Sequence, residues 1–152
     1  MNSTVFLTVL SGVTTYVLGQ LVLKLVIDPV QELRRTIGII SHALIERANV
    51  IQNPGVPTKE VMDETSRELR KLSSQLQSHL YLVPIYGATA WVFRLPAAEK
   101  IRAASSALIG LSNSVFQSRE SLYKINSKRV ETVCDSLGIY MAEEDRWPKE
   151  DT

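Results

Sequence analysis

The residues in this chain whose types suit chemistry are few: two histidines, one cysteine and a small group of bases. His42 and Glu46 stand four apart, one helical turn, the spacing at which an imidazole and a carboxylate can share a proton or hold a metal ion. His79 is the other imidazole. In an up-and-down helical layout it falls at a different height from His42, and no second carboxylate–histidine pair exists to complete a di-metal set of the four-helix type. Each histidine therefore reads as a solvated or hydrogen-bonded structural residue. Cys134 has no adjacent histidine to activate its thiol and reads as packed. As the sole cysteine it excludes an intrachain disulfide and every motif that needs paired cysteine ligands, and it points to a reducing compartment. Lys124, Lys128 and Arg129 form a basic cluster that suits anionic lipid or an acidic partner, or plain solvation. There is no Gly-rich phosphate loop, nucleophile elbow or H-E-x-x-H. The expectation is no catalytic residue, no cofactor and no metal.

Seventeen basic and sixteen acidic residues leave a net charge of +1, which gives no electrostatic grip on nucleic acid. Charge is instead absent from one place. From Met1 to Leu23 there is no ionisable acid or base, and VFLTVLSGVTTYVLGQLVL supplies about the twenty apolar residues that span ~30 Å of hydrocarbon. Val5 to Ile27 reads as a transmembrane helix. A cleaved secretory signal is the competing reading, but it wants a basic stretch before a shorter apolar one, and no Lys or Arg precedes Val5. Lys24, Arg34 and Arg35 all lie at or beyond the C-terminal end of the span, so the positive-inside rule places the N-terminus outside and the rest in the cytoplasm. Within the span Thr8, Gly12, Thr15 and Gly19 recur at offsets of four, three and four, a small-residue face that suits helix packing, with the bilayer and a second copy or a membrane protein as expected partners.

Beyond the span the apolar residues keep a period of three or four. Asp28-Pro29 reads as a helix start, with the Asp28 carboxylate as cap. Val30, Leu33, Ile37, Ile40, Leu44, Ala48 and Ile51 form one stripe ending before Asn53-Pro54-Gly55. With Thr58 as cap, Met62, Thr65, Leu69, Leu72, Leu76 and Leu80 form a second, and Ile101, Ala104, Leu108, Leu111 and Val115 a third among many small residues. A shorter pattern, Val130, Val133 and Leu137, ends at Gly138, suited to a left-handed cap. The prediction is an all-α chain: an anchor over residues 1–28, a cytoplasmic antiparallel three-helix bundle with a short C-terminal helix over 29–139, and an acidic flexible tail over 140–152.

LYLVPIYGATAWVFRLP, Leu80 to Pro96, breaks the amphipathic pattern. It is too short to span as a simple helix and carries Pro84 and Gly87. If the first bundle helix leaves the bilayer and the second returns, this connection comes back to the membrane surface, where Tyr81, Tyr86 and Trp91 favour the interface and Arg94 reaches lipid phosphate. The alternatives are a bent core element or a protein partner's pocket.

The run GQLVLKLVIDPVQELRRTIGIISHALI, followed by ELRKLSSQL, VPIYG and IRAASSALIGLSNSVF, resembles a set of small bacterial membrane-anchored proteins of uncharacterised activity, from Gly19 to Phe116. The resemblance implies a bacterial inner-membrane setting and supplies no functional residue. Pro29 with Leu33 four residues on, and Met62-Asp63-Glu64, are weakly similar to the HAMP signalling linker. The departures are a longer first helix, a glycine-poor connector and no output domain following in this sequence. The leading expectation is a non-enzymatic, membrane-anchored scaffold or assembly subunit. The alternatives are a membrane-active effector that inserts Leu80 to Phe93, or a transmembrane signal relay.

Overall fold

The computed structural model describes residues 3–117 and 121–141. Among these every regular element is helical: α1 (Ser3–Val22), a π-helical turn (Leu23–Ile27), α2 (Asp28–Glu46), α3 (Ala48–Gln52), α4 (Lys59–Leu82), α5 (Tyr86–Phe93), α6 (Ala98–Ser114) and α7 (Ser121–Leu137). The first three run on without a break, so Ser3–Glu46 forms one helix of 44 residues, about 66 Å long at ~1.5 Å per residue. None of α1 is buried. By length and composition this is the one helix among the described residues fit to cross a membrane.

The helix does not start afresh at Asp28, contrary to the sequence expectation. Pro29 has no N–H to give the Leu25 carbonyl, and its ring crowds that carbonyl in ordinary α geometry. The coil widens just before it, and the Asp28 N–H reaches back five residues to the Leu23 carbonyl. Because helix precedes Asp28, no orphan N–H awaits a cap. The carboxylate instead accepts from Lys24 Nζ at 3.0 Å. Thr58 does occupy the position before α4, with extended backbone, but its hydroxyl makes no capping bond.

The apolar stripes face one another. Leu33, Ile40 and Leu44 of α2 meet Leu69, Leu72, Leu76 and Leu80 of α4, with Ile101, Ala104, Leu108 and Leu111 of α6 and Val133 and Leu137 of α7 completing the core. Small residues bring α4 and α6 close at mid-height. Ser73 Oγ donates to the Ser105 carbonyl at 3.0 Å, the two hydroxyl oxygens lie 2.6 Å apart, and both side chains are buried. The sequence reads one helix through Ile51, but the backbone bends at Arg47 (φ −95, ψ 9). That bend tilts α3 onto α7. The Arg47 guanidinium spans to the first turns of α4, donating to Glu68 at 2.9 Å and Glu64 at 3.0 Å. The hydrogen bond to Glu68 raises its pKa further, so it stays charged throughout the accessible range.

α7 begins at Ser121, well before the stripe that announced it, and is as long as α6. Its first half is held by a polar contact. Asn126, 1% exposed, donates from Nδ2 to the Ile51 carbonyl at 2.9 Å and accepts at Oδ1 from Ser114 Oγ at 2.7 Å. Gly55 N–H bonds the Val115 carbonyl at 2.9 Å and ties the α3–α4 turn to the same end. Gly138 (φ 69) takes the left-handed cap, and the Ile139 N–H returns to the Cys134 carbonyl at 2.9 Å. The expected tail lies outside the described residues past Met141.

Asn126→Ala takes from the Ile51 carbonyl its side-chain donor and leaves the buried Ser114 hydroxyl with the Leu111 carbonyl alone. It lowers unfolding stability by about 2 kcal/mol, read by urea titration in detergent micelles. Asn113→Ala, at an exposed contact with Arg70, is the control and changes little.

Candidate functional site

The segment after α4 is a short helix held between two strained residues. α4 ends at Leu82, and Ile85 (φ 44) and Arg94 (φ 51), both in the left-handed region, bracket α5. A β-branched residue there is an outlier, and such strain persists only where neighbours over-determine it. The neighbours are visible. Thr89 Oγ1 donates to the Pro84 carbonyl at 2.7 Å, the Tyr86 hydroxyl donates to the Pro96 carbonyl at 2.7 Å, and the Leu95 N–H closes the C-terminal end on the Ala90 carbonyl at 2.9 Å. Arg34, on the second full turn of α2, donates from Nη2 to the Phe93 carbonyl at 2.7 Å. This bond fixes the end of α5 to the N-terminal part of α2, the part that α1 runs into.

The four interface candidates do not share one environment. Tyr81 is 79% exposed and Trp91 84%, while Arg94 is exposed at the C-terminal cap of α5. Tyr86 is half-buried and packs on the core cluster. Burial pushes its phenol up to about 12, so the hydroxyl stays protonated as a donor to Pro96. Leu82, Ile85 (83% exposed) and Val92 extend the outer surface, beyond the residues singled out by sequence. α5 has no polar face on either side, and Ala90 and Thr89 fill its inner one.

In α1, Thr8, Gly12, Thr15 and Gly19 are all exposed, and a Cβ added at either glycine would meet nothing within 4 Å. The chemical candidates stay apart. His42 Nδ1 lies 3.5 Å from Glu46 Oε2 in an exposed pair, and His79 Nδ1 is buried without a hydrogen-bond partner in the structure. Cys134 is buried. No group of three His, Cys, Asp or Glu side chains fit to hold a metal occurs among the described residues. Arg129, read above in a basic cluster suited to anionic lipid, an acidic partner or plain solvation, lies against α6 and donates to the Gly110 carbonyl at 3.0 Å. A Cβ at Gly110 would fall 2.6 Å from Arg129 Nε, so glycine is what seats that guanidinium.

Compared with protein-family models, curated proteins and solved structures, the chain matches none. One feature escaped the sequence entirely. A groove of about 400 Å³ runs between α2 and α7, lined by Leu44, Ile45, Val130, Cys134 and Met141. The available signal was Ile45, an exposed isoleucine off the apolar stripe.

Two measurements check this geometry. Arg94→Gly relieves the left-handed position and raises stability by about 1 kcal/mol in detergent-solubilised protein. In an ultraviolet pH titration Tyr86 ionises late, near pH 12, and Tyr86→Phe removes that step. The sign follows from the raised value. Stability owed to the neutral phenol is complete below its unfolded pKa of about 10 and is lost as pH rises through about 12.

Proposed function

We propose that this chain is a single-pass, membrane-anchored helical bundle with a non-enzymatic role as a scaffold or assembly subunit, acting through association with itself or with a membrane partner. On this reading the N-terminus is outside a bacterial inner membrane, and an antiparallel bundle of α2, α4 and α6, backed by α7, stands in the cytoplasm. The observation that carries the proposal is the uninterrupted helix Ser3–Glu46, bare over its apolar first half and forming a wall of the core over its second. One helix carries both parts, so whatever pairs or positions the span bears directly on the bundle. An apolar helix with no buried residue also needs an apolar medium. Lys24 in the last turn of the span, with Arg34 and Arg35 beyond it, supports the orientation.

Self-association is assigned to the face of Thr8, Gly12, Thr15 and Gly19, where the open space at both glycines admits a second backbone. The test is disulfide crosslinking in native membranes in a Cys134→Ser background. Cysteines replacing Gly12 or Thr15 crosslink into dimers several-fold more than cysteines replacing Leu10 or Val17 on the opposite face. Equal crosslinking on both faces, or none, rejects the dimer face. Release of the protein from membranes by alkaline carbonate rejects the anchor.

A further inference from the structure

The patch at the end of α4 and on the outer face of α5 is left uncovered among the described residues. Tyr81, Leu82, Ile85, Trp91 and Val92 are each more than half exposed and lie together at one end of the molecule. Scattered surface apolar residues need no explanation, but a cluster of this size on so small a protein marks a surface that something covers. The internal structure of α5 narrows what that is. A helix apolar on every side is stable where both sides meet apolar surroundings. The inner side of α5 meets the core, so its outer side calls for an apolar medium.

We propose that this patch docks on the surface of an anionic lipid bilayer, beside the point where α1 emerges, and so gives the bundle a second lipid contact that fixes its tilt. The inference rests on the membrane-anchored reading above. Three observations favour lipid over a protein pocket. The first is position. Arg34 ties the Phe93 carbonyl to α2 seven residues past the π-helical turn, about 10 Å along the helix axis, so α5 lies at the level of the membrane–water boundary once α1 spans. The second is composition, since tyrosine and tryptophan at an apolar edge are the side chains that settle at that boundary. The third is charge. Lys24, Arg34, Arg35, Arg94 and Lys100 lie at this end against Asp28, Glu32 and Glu99, and Asp28 and Glu32 are already met by Lys24 and Arg35. Arginine at position 94 is itself informative. The backbone there favours glycine, and strained positions of this kind cluster at ligand contacts. Its guanidinium suits a phosphate at headgroup depth.

The experiment uses the full chain with Trp147→Phe, which leaves Trp91 as its single tryptophan, reconstituted in vesicles of phosphatidylcholine and phosphatidylglycerol and floated on a density gradient. The expected result is blue-shifted Trp91 emission, quenched roughly twofold more by phospholipid brominated near the headgroup end of its chains than near the methyl end. In the same vesicles Arg94→Gln weakens the rise of quenching with phosphatidylglycerol content. Floating vesicles whose Trp91 ignores brominated lipid overturn the docking and leave the anchor standing, the result a protein-covered patch would give. Protein that stays at the bottom of the gradient overturns the anchor, and the docking with it.

Discussion

The architecture depends on carrying one helix past Pro29. A proline at this position removes a backbone donor and crowds the Leu25 carbonyl, and an ordinary helix would break there. A break would let the apolar first half and the amphipathic second half swing independently. The widened turn at Leu23–Ile27 takes up the misfit within one residue's worth of extra coil and keeps Ser3–Glu46 a single helix. The Lys24–Asp28 pair straddles that turn. Everything downstream inherits its placement from α2, because the core is built on Leu33, Ile40 and Leu44 and both ends of α4 are read against α2 by arginines. Arg47 engages the first turns of α4, and Arg34 holds the segment after its last.

Those two arginines divide the labour differently. Arg47 is an ion pair with two carboxylates on a partly buried side chain, worth more than an exposed pair because its fork meets two acceptors in good geometry. Arg34 satisfies a backbone carbonyl at the end of a helix that sequence propensity would hardly sustain, eight residues with a glycine at its second position. The strain at Ile85 and Arg94 is thus offset by contacts at neighbouring residues, the usual condition for such backbone to persist.

The all-helical character and the identity of the buried faces were legible from spacing alone. Val30, Leu33, Ile40 and Leu44, then Leu69, Leu72, Leu76 and Leu80, are buried at the positions their period assigns. What spacing missed has physical causes. The π-helical turn is a backbone accommodation with no residue pattern of its own. The first half of α7 escaped because its buried positions are Leu122 and Asn126, and a buried asparagine interrupts the apolar count. In α5 composition drew attention to the aromatics, yet periodicity has nothing to say about which side of a uniformly apolar helix turns inward. Tyr86 is committed inward by its hydrogen bond to Pro96, and Trp91 stands 84% exposed. The α2–α7 groove is a property of two elements remote in sequence, so no local pattern announces it.

Asn126 has a consequence beyond its hydrogen bonds. Greasy contacts between helices are forgiving, and Leu122, Val133 and Leu137 would find acceptable neighbours if α7 slid along α6 by a turn. An amide is not forgiving. Moved by ~5 Å, it would lose both the Ser114 hydroxyl and the Ile51 carbonyl and sit dry with nothing to bond, a cost of about 1–3 kcal/mol. Arg129, fitted over the bare Cα of Gly110, adds a second notch three residues on. The last helix is therefore indexed like a key by two polar teeth, and this end of the molecule trades some packing energy for a single allowed alignment.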